Sequence, residues 1–134
     1  MSVYKDMLDS VITLIDTNLS LYALVTIGSL PVINGIAAYI GAGAPTESHL
    51  DRGSINEIYV TVNAKHAAQD TALDALSDIQ LYLTRLKAYP AGTDWQMLNI
   101  ETGTVPNYIG TEDNGSQYLY GSILRIKFYV KGVN

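Results

Sequence analysis

The chain has 134 residues and a formal net charge of −5, with 48% hydrophobic and 16% charged residues. This length predicts a single domain over residues 1–134, large enough to hold a core without crosslinks. The negative charge, without any Lys or Arg run, argues against a nucleic-acid binder, and the lack of cysteine excludes disulfides and thiolate chemistry. The N-terminus carries no signal peptide or lipidation motif, and no apolar run reaches membrane-spanning length, so we expect a cytosolic protein without membrane contact.

Ten tyrosines accompany a single phenylalanine. Tyrosine suits a protein interface because its ring supplies contact area while its hydroxyl group tolerates water before assembly. Tyrosines also occupy the exposed faces of ordinary strands. The composition therefore leaves both explanations open.

The first part of the chain predicts a helix followed by a short strand. Residues 2–17 place apolar side chains at helical spacing, with Ser2 as the N-cap. Leu19 to Leu30 is apolar and fits either a strand or further helix, because periodicity does not separate the two. The turn dipeptide Asn34-Gly35 then precedes a strand from Ile36 to Ile40.

A polar loop, Gly41 to Gly53, is predicted next and is the most flexible stretch expected. Ser54 to Asn63 alternates apolar and polar side chains, which predicts a strand that pairs with the preceding one as a hairpin. From about His66 to Lys87 apolar residues recur at steps of three and four, which predicts a long helix capped by Asn63. This helix should lie across the even-numbered face of the last strand.

The C-terminal part predicts two strands joined by a long loop. Trp95 to Thr102 is a short strand with Leu98 and Ile100 on one side, and residues 103–116 form a connection far longer than a hairpin needs. Gln117 to Lys131 alternates most clearly, with apolar even positions and basic or aromatic odd positions. The fold class is therefore α+β: an antiparallel or mixed sheet of about four strands, with a long helix and an N-terminal helix packed on it.

The last strand is too long for a compact domain of this size. Its 15 residues would extend over about 50 Å, whereas the domain should be about 35 to 40 Å across. We therefore expect a bulge or bend at Gly121-Ser122, where glycine accepts unusual dihedral angles. Tyr118 to Tyr120 would then belong to a β-arm that projects from the body.

No arrangement of residues predicts catalysis, so no catalytic, cofactor-binding or metal-binding residue is assigned. His49 and His66 lack a third ligand at metal-binding spacing. Asp113-Asn114-Gly115 lacks the acidic residues that complete a calcium loop. One enzymatic alternative remains, a small monomeric enzyme or ligand-binding domain in which the Gly41–Gly53 loop closes over His49 and Asp51.

One charge pattern stands out on the long predicted helix. Asp70, Asp74 and Asp78 are four residues apart and form one acidic row, although like charges at this spacing mildly destabilise a helix. An ordinary solvated helix face would explain the row. Alternatively, it is an acidic wall to which a passing polyanion does not adhere, or a complement to a neighbour's basic residues.

The C-terminal third combines four short features. A tryptophan precedes a strand, Pro-Asn-Tyr-Ile-Gly occupies Pro106 to Gly110, an acidic-Gly turn spans Glu112 to Gly115, and a long aromatic strand closes the chain. With the order of elements before it, including Leu-Pro and Asn-Gly turns between Leu30 and Gly35, nearly the whole chain resembles tailed-bacteriophage minor capsid and tail terminator proteins. These small proteins lie at the head-proximal end of the tail.

The resemblance implies a non-enzymatic structural virion protein without cofactors. It would form a ring of six copies in the tail or neck after assembly in the host cytoplasm, binding the tail tube protein and a head–tail connector or stopper protein. DNA would pass through without specific binding, past a lumen lined by Asp70, Asp74 and Asp78. A head-side neck or connector-stopper role is the nearest alternative. Contacts are expected between Thr104 and Tyr120, with these interface residues: Pro106, Tyr108, Glu112, Asp113, Tyr118 and Tyr120.

Overall fold

The computed structural model describes residues 3–48, 53–112 and 114–132, with the backbone alone from 42 to 48. Its elements are α1 (Val3–Asn18), β1 (Val25–Ile27), β2 (Gly35–Ser48), β3 (Ser54–His66), α2 (Gln69–Thr84), β4 (Trp95–Glu112) and β5 (Gln117–Val130). The strands form one mixed sheet in the order β1-β2-β3-β5-β4, in which β1 is parallel to β2 and the other neighbours are antiparallel. The α+β class is confirmed, with five strands rather than about four.

Both helices pack on the same face of the sheet. Their apolar stripes meet the even-numbered side chains of β5, and the sheet and helices share one hydrophobic cluster. Fully buried members include Met7, Val11 and Ile15 of α1, Leu76, Ile79 and Leu83 of α2, and Leu124, Ile126 and Phe128 of β5. Each such side chain contributes about 1.5 to 3 kcal/mol by leaving water. No helix in the described part of the chain has the length and apolarity needed to cross a membrane.

Helix α2 is shorter than predicted at both ends. The proposed cap, Asn63, is not at the helix start because it lies in β3 opposite Gly121. The N-cap is Ala68, which has no side-chain cap and whose backbone N–H donates to His66 Nδ1 at 2.9 Å. Strand pairing with β5 has therefore extended β3 to His66 and moved the helix start to Gln69.

Strand β2 continues through most of the stretch predicted to be a flexible loop. Its backbone pairs with β3 as far as Ser48 opposite Ser54, with register shifts between Ile40 and Gly43 and between Pro45 and Glu47. The predicted hairpin is confirmed, but the prediction of a loop was wrong for Gly41 to Ser48. Pairing with β3 satisfies the backbone here, and the two shifts accommodate the glycines and the proline. His49 and Asp51 lie outside the described residues.

Strand β4 also replaces a predicted loop. It reaches Glu112, which leaves only residues 113–116 for the turn, where Asn114 and Gly115 have positive φ angles. β4 has 18 residues against 14 in β5, and the excess of four (18 − 14) matches four register shifts along the pair. Pro106 falls in the shift between Thr104 and Asn107, where its missing N–H breaks no ladder bond.

The prediction of a projecting arm is wrong for Tyr118 to Tyr120. These residues lie opposite His66 to Ala64 of β3 and are also paired with β4. β3 pairs with β5 from Val130 to Tyr118 and β4 pairs with it as far as Gln117, so Tyr118 to Tyr120 remain inside the sheet. The bulges expected at Gly121-Ser122 occur in the edge strand β4 instead, because an edge strand can change register without disturbing a second neighbour.

Candidate assembly surface

The outer half of β4, Glu101–Glu112, forms a free edge of the sheet. Along the inner half of β4, Trp95 to Ile100, the segment before the strand lies against the edge. Met97 N–H donates to the Pro90 carbonyl at 3.1 Å. Along the outer half, no strand in the described part of the chain pairs with the side of β4 that faces away from β5. An uncovered edge presents N–H and C=O groups that a partner can use.

Apolar side chains project from this free edge. Val105, Tyr108 and Ile109 are between 53% and 63% exposed. The ten residues from Thr102 to Thr111 include no charge, although 21 of the chain's residues (8 + 13) are charged. Depletion of charge together with exposed apolar and aromatic residues is typical of the centre of a protein interface.

The outer half is held in a fixed shape by contacts to β5. Asn107 Nδ2 donates to the carbonyls of Val105 at 2.8 Å and Gly121 at 3.1 Å. The rings of Tyr108 and Tyr120 meet edge to face with centroids 5.6 Å apart, and Tyr120 Oη donates to Gln69 Oε1 of α2 at 3.2 Å. An edge ordered before binding loses less conformational entropy when a partner docks.

Two ion pairs stand at the ends of this uncharged stretch. At one end, Arg125 donates to Glu101 at 2.6 Å, and this bond raises the pKa of the Arg125 guanidinium. At the other end, the buried ammonium of Lys65 donates to Glu112 Oε1 at 2.8 Å. Lys65 lies in β3, so this bond crosses β5 and ties the tip of the β4–β5 hairpin to the middle of the sheet.

A shallow depression lies beside the edge on the face away from the helices. Its volume is about 190 Å³, and it is lined by Thr61, Asn63, Thr104, Asn107, Ile109, Gly121, Ser122 and Ile123. Gly121 gives room for the Ile109 side chain, because a Cβ atom would lie 2.6 Å from Ile109 Cδ1 and 2.8 Å from Asn63 Oδ1, and those side chains would have to shift. The Ile109 side chain therefore packs over the bare backbone of Gly121.

The structure gathers the predicted interface residues on one hairpin but exposes them unequally. Tyr108 and Glu112 are exposed, whereas Pro106, Tyr118 and Tyr120 are partly buried within the sheet. Asp113 lies outside the described residues. Sequence analysis missed Val105 and Ile109, although the uncharged run around them was a signal that could have identified both.

The acidic row lies on the solvent side of α2. Asp70, Asp74 and Asp78 are exposed, and no ion pair to them occurs among the described residues. Asp74 and Asp78 line an open groove between α2 and the segment after α1, together with Ser20 and Tyr22. The geometry leaves the row free to face solvent or a partner.

His66 has a structural environment. Its Nδ1 accepts the Ala68 N–H, and its ring packs edge to face against Tyr22 with centroids 4.7 Å apart. The single Tyr22 O–H is shared between the carbonyls of Gly35, 2.9 Å from Oη, and Lys65, 3.0 Å from Oη, and burial raises the pKa of Tyr22 to about 12. No three His, Asp or Glu side chains in the described part of the chain cluster closely enough to bind a metal ion.

Comparison with known proteins gives a match in fold but not in sequence. No family model matches the chain, and no curated protein matches it. Among solved structures, a chain from the virion of a native gene transfer agent (GTA) particle is similar, with a TM-score of 0.62 and 10% sequence identity. The alignment covers 98% of this chain and 100% of that chain, so the two share a fold over their full lengths.

Proposed function

We propose that this chain is a structural protein of a tailed-phage-type virion and acts as the tail terminator. Several copies form a ring that caps the finished tail tube and presents a surface to the head–tail connector or stopper. The observation that carries the proposal is the likeness of fold to a GTA virion chain, which extends over 98% of this chain and 100% of that chain. The free, uncharged edge of β4 supports assembly because it offers apolar area without a charge to desolvate.

The proposal does not include catalysis. The alternative enzyme or binding domain required a Gly41–Gly53 lid, but Gly41 to Ser48 belong to strand β2, which pairs with β3 as far as Ser48. The histidine within the described residues, His66, is engaged with Tyr22 and Ala68. Exchange of His49 and His66 for Ala should therefore leave capping of tails unchanged, and loss of an activity assayed in the same preparation would favour the enzyme.

The acidic row is proposed to line the lumen through which DNA passes. Asp70, Asp74 and Asp78 repel phosphates, whereas a basic lumen would bind DNA through release of counterions. Exchange of all three for Lys should leave the ring intact and make DNA retention by the ring strongly dependent on salt. The single exchange Asp74→Lys should show the same trend, and Glu101→Lys, a single exchange on the other face of the domain, is its matched control. Equal DNA binding by both variants would place the row away from the lumen.

The decisive experiment is electron microscopy of lysates from a phage that lacks this protein. Abnormally long tubes without heads are expected, because polymerisation would continue without a cap. Tails of normal length beside separate filled heads would assign the protein to the neck as a connector-stopper. Intact infectious particles would contradict a structural role in either position.

A further inference from the structure

Both lateral edges of the sheet carry exposed apolar side chains. On one edge, the segment around β1 contributes Leu24, Ile27, Val32 and Ile33, which are between 53% and 77% exposed and are called the β1 patch. On the other edge, Val105, Tyr108 and Ile109 form the β4 patch. No residue from Thr17 to Thr46 is charged, so the β1 patch shares the lack of charge noted for β4. A single domain with two such edges has two places for a partner.

The pairing register puts the two patches at the same level along the strands. Ile27 is opposite Ala38, and Ala38 is opposite Val62. Val62 is opposite Ser122, and Val105 lies in the bulged segment of β4 beside Ser122. Ile27 and Val105 therefore occupy the two ends of one row across the sheet.

The directions of the strands are compatible with repetition of this domain around an axis. The four long strands β2, β3, β5 and β4 alternate in direction, so β4 runs opposite to β2 and to its parallel neighbour β1. Rotation about an axis parallel to the strands preserves both direction and level. It brings the β4 patch of one copy beside the β1 patch of the next, antiparallel and in the same row.

We propose that the β1 patch and the β4 patch are the two halves of one head-to-tail interface between copies of this chain. The proposal rests on the ring proposed above and specifies which surfaces close it. Each copy gives a different patch to each neighbour, which is the heterologous arrangement that forms rings. Because register shifts interrupt β4, the contact is made by apolar side chains, with main-chain hydrogen bonds only where the edge is regular.

Cysteine crosslinking tests whether the β1 patch and the β4 patch lie at the same level along the strands. The chain has no natural cysteine that would interfere. Ile27→Cys with Val105→Cys, in one chain, should give a ladder of disulfide-linked multimers after mild oxidation, both in solution and on capped tail tubes. Ile27→Cys with Leu98→Cys is the control, because Leu98 precedes Val105 in β4 and lies about five β5 positions from the row, roughly 17 Å away. Disulfides form only when Cα atoms lie within about 7 Å, so the control should still assemble but give no disulfide-linked multimers on a denaturing gel.

Mixing two edge variants tests whether the interface is head-to-tail. Ile33→Asp disrupts the β1 patch and Ile109→Asp disrupts the β4 patch, so each variant alone should be monomeric by mass photometry. An equal mixture should form dimers and nothing larger, because only one intact junction can form per pair. If Ile33→Asp still forms rings, or the mixture gives no dimer, the proposed pairing is wrong.

The outcomes separate this proposal from the proposed function. Rings and capped tails with no crosslink between positions 27 and 105 would leave the terminator role intact and reject these two patches. Crosslinked rings together with tails of normal length in the deletion phage would reject the terminator role and retain the interface. A chain that is monomeric in solution and on tail tubes would reject the interface outright.

Discussion

The two halves of β4 belong to one strand but have opposite environments. In the inner half, Trp95, Met97 and Ile100 are buried in the core, and Trp95 Nε1 donates to Asp6 Oδ2 of α1 at 2.7 Å. In the outer half, the apolar side chains Val105 and Ile109 are exposed. The comparison shows that the core accounts for the inner half only, so the apolar residues of the outer half are available for binding a partner.

The largest expected effect contrasts two neighbours in the inner half. Met97 is 1% exposed and Leu98 is 39% exposed. Met97→Ala should lower the free energy of unfolding by about 2 to 5 kcal/mol because it leaves a cavity. Leu98→Ala should cost less than about 1 kcal/mol. Urea unfolding measures both values, and equal losses would mean that the strand register is different.

The next effect concerns the bond that ties the inner half to α1. Trp95→Phe removes the donor to Asp6 and should cost about 2 kcal/mol, since hydrogen bonds to charged groups contribute about 1.5 to 3 kcal/mol. The same exchange in an Asp6→Ala background should cost clearly less. A double-mutant cycle from thermal unfolding gives the coupling, and zero coupling would show that the bond contributes nothing to stability.

In the outer half, the two ion pairs should differ in strength. Glu112→Gln leaves the buried ammonium of Lys65 without an anionic partner and should cost about 1 to 2 kcal/mol, less than for a fully buried pair because Glu112 is itself exposed. Glu101→Gln should change stability by less than about 1 kcal/mol because Arg125 and Glu101 are both partly exposed. Chemical denaturation of the two variants shows which ion pair contributes more to the free energy of unfolding.

A smaller, pH-dependent effect is expected at the opposite side of the sheet, where Tyr22 joins β2 to β3. The pKa of Tyr22 is about 12 when folded and about 10 when unfolded. The contribution of the neutral Tyr22 phenol to stability is therefore fully present below about pH 10. It is lost as the pH rises towards 12. Tyr22→Phe should cost about 1 kcal/mol at neutral pH and show a smaller loss of stability between pH 10 and 12. An identical alkaline decline in both proteins would contradict this.

The smallest effect on stability should accompany a large effect on assembly. Val105→Ser should change the free energy of unfolding by less than about 0.5 kcal/mol because the side chain is exposed. The variant should nevertheless form fewer oligomers by mass photometry. Thr102→Val, a change that keeps the fold of the same edge outside the patch, is the control. A stable Val105→Ser variant with normal oligomers would place the interface elsewhere.

The sequence predictions were most accurate for the elements with the most regular spacing of apolar residues. The alternation of β5 and the apolar stripe of α2 were sufficient to identify their buried faces. The inner half of β4 misled the analysis because a register shift between Met97 and Asn99 reverses the alternation, so that Met97 rather than Leu98 is buried. The glycine and proline residues of β2 and β4 led to a prediction of loops, because pairing with β3 and β5 cannot be recognised from the local sequence.

The predicted interface residues differ in their exposure on the folded sheet. The resemblance pointed to Tyr108, which is exposed on the edge, but also to Tyr118 and Tyr120, which lie inside the sheet. The β1 patch was missed because its importance depends on which strands have open edges and at what level they lie. Strand order and register are properties of the folded sheet, and they are set by contacts between distant parts of the chain.

The register shifts of β4 have a consequence for the life of the protein before assembly. A straight free edge can recruit the edges of unrelated chains, which is the usual beginning of fibrous aggregates. A free edge interrupted three times offers no long uniform template to a passing strand. We therefore expect the free chain to resist edge-to-edge aggregation through β4.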